Sequence, residues 1–130
     1  MCRNLLILDD ESSVHESLKL ILSSVPVEID SAYIPSEAFQ KIQQKEYDAI
    51  ICDYNMPEMT GVDFLRKIQA QGFQGNTLLF TGNPTILAIY QLAASDQFQV
   101  MEKPIADIDI FVNQITQLLT TKQTVLKEIS

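Results

Sequence analysis

The sequence is poor in basic residues and in long apolar runs, and each shortage argues against a class of protein. Nine Lys and Arg side chains stand against seventeen Asp and Glu, so the formal net charge is −8. A nucleic-acid-binding surface normally needs a basic stripe, and no Lys or Arg cluster occurs along the chain, which argues against direct binding of DNA or RNA. No apolar run approaches the roughly 20 residues that span a bilayer, so we expect no membrane segment.

Cysteine is also scarce. Cys2 and Cys52 lie far apart, with no C-x-x-C spacing and no cluster of histidines. This pattern favours a reduced intracellular protein. The apolar run after Asn4 is shorter than a signal-peptide core and is followed at once by acids. We therefore expect a cytoplasmic protein.

The 130 residues, 46% of them hydrophobic, are enough for one domain with a real core, which we expect to span residues 1–130. Apolar runs and turn signals predict five strands. Continuous runs predict strands buried on both faces, and a weaker alternating run predicts a sheet edge. The predicted strands are 5–8, 27–32 (the edge), 49–52, 78–80 and 99–102.

Helical stripes follow each predicted strand. The first has Ser12 or Ser13 as a candidate cap, and the last has Asp107. The other three are predicted at 36–44, at 62–68 and from Pro84 to about Ala94, and the last covers roughly 107–127. Regular alternation of strand and helix is typical of a parallel sheet with helices on both faces. In such sheets the ligand site lies at the carboxyl ends of the strands.

Polar residues with specific chemistry stand at those strand ends. Asp9 and Asp10 follow the first strand, and Asp53 follows the third. If these strands are neighbours, three carboxylates converge, and a hard cation such as Mg²⁺ would neutralise them. Thr81 and Lys103 end the fourth and fifth strands and offer a hydroxyl and an ammonium. A carboxylate nucleophile, a metal and two donors suit phosphoryl transfer to Asp53.

Over essentially its whole length the sequence resembles the response-regulator receiver domains of two-component signalling. The matching elements are the acidic pair 9–10, the stretch 53–57 (DYNMP) with Gly61, then Thr81, and finally Lys103 followed by proline. The order and spacing of all four elements fit the family. The resemblance implies a flavodoxin-like α/β fold, with a five-stranded parallel sheet in the order 2-1-3-4-5 flanked by five helices.

The resemblance also implies roles. Asp53 would be the phosphate acceptor, and Thr81 and Lys103 would contact the phosphoryl group. Mg²⁺ would be held by Asp9, Asp10, the Asp53 carboxylate and the backbone carbonyl of Asn55. The phosphoryl donor would be a histidine kinase or a histidine phosphotransfer protein, and the output a downstream protein or a further domain. Such a module catalyses its own phosphorylation and slow dephosphorylation but is not a turnover enzyme.

The departures from the family pattern are local. Receiver domains usually carry Tyr or Phe three residues before the lysine, a Gly-Ala pair shortly before that, and often an aromatic residue after Lys-Pro. Here these positions hold Val100, Asp96 with Gln97, and Ile105. Valine cannot report phosphorylation by a large ring rotation. We therefore expect only a modest change near the fifth strand, unless Phe98 or Tyr90 substitutes.

Two other functions compete with this interpretation. A haloacid-dehalogenase-type phosphatase also uses a strand-end aspartate and Mg²⁺, but it resembles Asp-x-Asp-x-Thr, whereas here Asn55 replaces the second acid. A pseudo-receiver that only binds a partner would lack the acceptor or the lysine, and Asp53 and Lys103 are both present.

Three further residue assignments complete the expectations. We expect His15, the only histidine, at the surface, and Cys52 in the core, pointing away from the site. Gly61 is expected to relax a turn or helix start. The apolar stripe of the last helix continues through Val125 and Ile129, which are compatible with a frayed tail, a homodimer contact or the start of another domain.

Overall fold

The sheet has five parallel strands in the order β2-β1-β3-β4-β5. The structure is a computed structural model, which describes residues 2–82 and 98–121. The predicted fold class and strand order are confirmed. The strands are β1 (Arg3–Leu8), β2 (Val27–Ala32), β3 (Ala49–Cys52), β4 (Asn76–Thr81) and β5 (Gln99–Glu102).

Four helices lie within the described ranges: α1 (Ser12–Ile21), α2 (Pro35–Gln44), α3 (Gly61–Ala70) and α4 (Ile108–Thr120). The predicted helix from Pro84 to Ala94 falls outside these ranges, as do residues 122–127 of the predicted last helix. Asp107 caps α4 as predicted, because its carboxylate accepts a hydrogen bond from the backbone N–H of Ile110 at 3.0 Å.

The predicted serine cap of α1 is wrong. Ser12 and Ser13 lie inside the helix, and the N-cap position is Glu11, which makes no side-chain capping bond. The chain turns into α1 through a different contact, in which the N–H of Glu11 donates to the carboxylate of Asp9 at 2.9 Å. Asp9, rather than a serine, therefore supplies the side-chain hydrogen bond at the turn into α1.

The central strands are buried on both faces, which is why they are continuous apolar runs rather than alternating ones. Leu6 and Leu8 of β1 belong to one core cluster, together with residues of α2 and α3. Leu5 and Ile7 of the same strand belong to a second cluster, together with residues of α1 and α4. The two cores pack the sheet between helical layers, and the strand ends form one rim.

Neither free cysteine lies in a position to form a disulfide with the other, since Cys52 is buried and Cys2 is exposed. Cys52 packs in the core cluster beneath α3, as predicted. No helix within residues 2–82 and 98–121 combines the length and apolar character that crossing a bilayer requires.

Candidate functional site at the carboxyl end of the sheet

Three carboxylates converge where β1 and β3 end. These strands are neighbours, with Leu8 paired to Cys52, and the N–H of Asp53 continues the ladder by donating to the carbonyl of Leu8 at 3.0 Å. Asp9 and Asp53 therefore leave adjacent strands at the same level. One carboxylate oxygen each from Asp9, Asp10 and Asp53 lies within 4.8 Å of the other two. The predicted acidic cluster exists.

The three acids differ in exposure. Asp9 is 1% exposed and Asp53 is 7% exposed, whereas Asp10 faces solvent. Burial raises the pKa of Asp53, and the nearby charge of Asp9 raises it further. Lys103 and the hydrogen bond from Tyr54 act in the opposite direction but do not outweigh these two causes. The ionised form of Asp53 is thus destabilised in the folded protein, and an added cation would stabilise it.

Lys103 reaches into the cluster from the end of β5. Its Nζ lies 2.7 Å from Oδ2 of Asp9 and 3.4 Å from Oδ1 of Asp53. Of the two buried aspartates, Asp9 is therefore the closer partner of the lysine. Burial acts to lower the pKa of Lys103, but the hydrogen bond to Asp9 and the charges of Asp53 and Asp9 outweigh burial and raise it.

The oxygens of Asp53 explain this preference. Its Oδ1 accepts a hydrogen bond from the N–H of Tyr54 at 2.8 Å, so the same oxygen already has a donor where Lys103 approaches. On Asp9, Oδ1 accepts from Glu11 while Oδ2 is left for the lysine. In the described part of the chain, Oδ2 of Asp53 is the one oxygen of these two buried carboxylates without such a contact.

Thr81 and Asn55 occupy the positions that the sequence predicts. Thr81 ends β4, which lies between β3 and β5, and it is buried. Its carbonyl accepts a hydrogen bond from the N–H of Lys103 at 2.8 Å, which carries the pairing of β4 with β5 to the rim. Asn55 lies exposed in the loop that follows Asp53. All the predicted site residues therefore belong to this rim or to its adjoining loop.

Gly61 has a more specific role than the expected relaxed turn. A Cβ atom at this position would lie 2.1 Å from the backbone oxygen of Asp53 and 2.7 Å from Cδ1 of Leu79. The N–H of Gly61 also donates to the carbonyl of Tyr54 at 2.8 Å. The first residue of α3 thus packs directly on the backbone of Asp53, and any side chain there would displace it.

The expectation that His15 lies at the surface is wrong. Its side chain is 1% exposed and hydrogen-bonds through both ring nitrogens. A signal was present in the sequence, since His15 precedes Leu18 by three residues and Leu22 by seven and so shares their buried stripe. The helix pattern alone does not predict burial of a polar ring, because the hydrogen-bond partners of His15 come from residues at the ends of β1 and β2.

Comparison with known proteins identifies the family. Residues 5–116 match the model of the response regulator receiver domain. The chain belongs to this family. Receiver domains are phosphoacceptor modules of two-component signalling.

Individual relatives agree with this assignment. A protein-glutamate methylesterase/protein-glutamine glutaminase 2 of Rhodospirillum rubrum is 47% identical over 68 residues, which cover 51% of this chain and 19% of that protein. The transcriptional regulatory protein FlgR of Helicobacter pylori is 31% identical over 102 residues, covering 75% of this chain and 26% of that protein. The chain spans between 19 and 31% of the curated relatives that it matches.

A solved structure shares the fold. The CheY-like response regulator receiver domain protein of Methanospirillum hungatei JF-1 matches with a TM-score of 0.83 and 22% identity, covering 92% of this chain and 94% of that chain.

The receiver domain described here departs from the family pattern on β5. Val100 is half-buried against the core beneath α3, and Phe98, the residue just before β5, is buried in the same core. Tyr90, Asp96 and Gln97 lie outside the described residues.

Proposed function

We propose that this receiver domain takes a phosphoryl group from a phosphohistidine onto Asp53, with Mg²⁺ bound beside it. The observation that carries the proposal is the convergence of three carboxylates with one half-buried lysine at a single sheet edge. Two buried acids against one base leave a surplus negative charge, and an uncompensated buried charge is unfavourable. A site that must accept a cation and then a phosphoryl group has a use for that surplus.

The donor set fits Mg²⁺. All three clustered side chains offer carboxylate oxygens, and this hard cation prefers oxygen ligands and keeps several waters. Asp10 and Asp53 would bind it directly, with the backbone carbonyl of Asn55, and Asp9 would act through water, because both of its carboxylate oxygens already accept hydrogen bonds. When bound, Mg²⁺ neutralises the cluster and balances negative charge on phosphoryl oxygens.

The chain's own residues account for the transfer. The free oxygen of Asp53, Oδ2, attacks phosphorus and forms the O–P bond of an acyl phosphate. The P–N bond of phosphohistidine breaks at the same centre, and its electron pair returns to the imidazole of the donor. Thr81 ends the neighbouring strand β4, and Lys103 follows β5 and reaches Asp53 with its ammonium. The hydroxyl and the ammonium stabilise the charge on the transferred group.

The partners follow from this chemistry. The donor is a histidine kinase or a histidine phosphotransfer protein, and the phosphorylated domain acts on a downstream protein or on a further domain of its own protein. Relatives include a protein named as a methylesterase/glutaminase and another named as a transcriptional regulator, each several times longer than the matched region. We propose that catalysis by this domain is limited to its own phosphorylation and slow dephosphorylation.

The proposal is tested by incubating the purified protein with Mg²⁺ and a small acyl phosphate such as acetyl phosphate. We expect one acid-labile phosphoryl group per chain, which appears only when Mg²⁺ is present. Steady release of inorganic phosphate at a rate that never saturates the protein would indicate a phosphatase instead. No incorporation under any divalent cation would indicate a domain that only binds a partner.

A further inference from the structure

His15 lies beneath the loop that carries the acidic pair. It belongs to the first turn of α1, and its ring is buried between the ends of β1 and β2. Nε2 lies 2.7 Å from the backbone carbonyl oxygen of Asp9, and Nδ1 lies 2.8 Å from the hydroxyl of Ser31 on β2. The ring of Tyr33 covers it, with centroids 4.4 Å apart. The proposed phosphoryl transfer uses none of these contacts directly.

We propose that His15 is a positioning residue for the acidic pair, which fixes the peptide between Asp9 and Asp10 and thereby sets the affinity of the site for Mg²⁺. This inference rests on the proposed function, because it concerns the cation that phosphorylation requires. A carbonyl oxygen can only accept a hydrogen bond, so Nε2 is the donor in this contact. The hydroxyl of Ser31 can donate or accept, so it can hydrogen-bond to Nδ1 whether or not that nitrogen carries a proton.

The two acids depend on this peptide to different degrees. Asp9 is held at four atoms: its N–H donates to the carbonyl of Ala32, its carbonyl accepts from His15, and its two carboxylate oxygens accept from Glu11 and Lys103. Asp10 is exposed, and within residues 2–82 and 98–121 no hydrogen bond or ion pair holds its side chain. Its carboxylate takes its place from the backbone, and the peptide before it is held by His15.

This arrangement resembles the outer contacts that orient metal ligands in other proteins, whose loss typically lowers metal affinity by 10- to 100-fold. Here the outer contact acts through the backbone rather than on the ligand atom. We therefore expect the lower end of that range. The effect should fall on cation affinity beyond any general loss of stability.

The test compares Mg²⁺ affinity across variants, measured from amide chemical shifts during titration with MgCl₂ and, in parallel, thermal unfolding in EDTA. We expect His15→Leu, which removes both hydrogen bonds, to weaken Mg²⁺ binding about tenfold. His15→Gln places an amide donor near the position of Nε2 and should retain affinity within about threefold of the wild type. The matched control is Leu18→Ala, a buried neighbour on the same helix with no contact to the acidic pair.

The outcomes separate positioning from packing. Leu18→Ala should lower the unfolding temperature and leave Mg²⁺ affinity unchanged. If His15→Leu bound Mg²⁺ as the wild type does, or if Leu18→Ala lost as much affinity, the inference would be wrong. If His15→Leu does not fold, His15→Asn replaces it, because asparagine places its amide near the position of Nδ1 rather than Nε2. Equal Mg²⁺ affinity in the Asn and Gln variants would then overturn the inference. A wild-type protein that bound no Mg²⁺ would instead refute the proposed function, and the inference with it.

Discussion

Lys103 at the carboxyl end of the sheet and Lys45 beside the edge strand β2 each stand between two carboxylates. Nζ of Lys103 lies 2.7 Å from Asp9 and 3.4 Å from Asp53. Nζ of Lys45 lies 2.8 Å from Glu28 and 3.0 Å from Asp30. Both clusters place one lysine between two carboxylates at similar distances, and they differ in burial.

The pKa values of Asp30 and Asp53, one in each cluster, are shifted in opposite directions. Asp30 is partly exposed, and although desolvation acts to raise its pKa, hydrogen bonds from Tyr47 and Lys45 outweigh that cause and lower it. Asp53 is nearly inaccessible, and desolvation with the charge of Asp9 outweighs Lys103 and raises its pKa. Tyr47 and Lys45 thus lower the pKa of Asp30 at the edge of the sheet, whereas Lys103 does not offset the burial that raises the pKa of Asp53 at its carboxyl end. The cluster at the carboxyl end of the sheet is therefore the one that a further cation would stabilise.

The comparison predicts, first, that phosphorylation requires Asp53 and does not require Asp30. Asp53→Asn removes the nucleophile while keeping the shape, so we expect no acid-labile phosphoryl group after incubation with acetyl phosphate and Mg²⁺. Asp30→Asn removes a carboxylate of the other cluster and should be labelled as the wild type is. Labelling of the Asp53→Asn protein at the wild-type rate would show that the acceptor lies elsewhere.

The lysines should differ nearly as much. Lys103→Ala removes a donor to the transferred group, and loss of such a donor slows a reaction on the order of 10²-fold. Mg²⁺ affinity should be unchanged or slightly higher, because the carboxylates lose a competing positive charge. Lys45→Ala is the matched control and should alter neither quantity, since a surface ion pair contributes little. A large loss of Mg²⁺ affinity in Lys103→Ala would mean that the lysine organises the metal site instead.

Within the buried cluster, the exposed acid should matter most for the cation. Asp10→Ala removes a carboxylate that has no other partner in the described residues, and we expect Mg²⁺ affinity to fall about tenfold. Glu11→Ala removes the adjacent acid, whose backbone N–H rather than its side chain contacts Asp9, and should change affinity by less than about twofold. Isothermal titration with MgCl₂ measures both. Equal losses in the two variants would contradict direct binding by Asp10.

Much of the fold and the site could be predicted because both depend on local patterns. Continuous apolar runs identify strands buried on both faces, and an acid directly after such a run must lie at the strand end. The exceptions depend on contacts between distant segments. The preference of Lys103 for Asp9 reflects which carboxylate oxygens Glu11 and Tyr54 already occupy. The need for glycine at position 61 reflects how closely α3 approaches the backbone of Asp53, which spacing along the chain does not reveal.

The smallest expected effect is in the pH dependence of stability without divalent cations, where the two aspartates should act in opposite directions. The pKa of Asp30 is lower in the folded protein than its ordinary value of 3.8, so the unfolded chain binds the proton more tightly. Its stabilising contribution is present above that ordinary value and is lost as the pH falls through the lower, folded pKa. The pKa of Asp53 is raised, so between 3.8 and the folded pKa the native state holds the extra proton, and stability falls as the pH rises through that window. Thermal unfolding of the wild type, Asp30→Asn and Asp53→Asn in EDTA from pH 3 to 7 measures both terms. Relative to the wild type, Asp53→Asn should gain stability towards neutral pH, and Asp30→Asn should lose it. Parallel profiles for the three proteins would show that burial does not separate the two clusters.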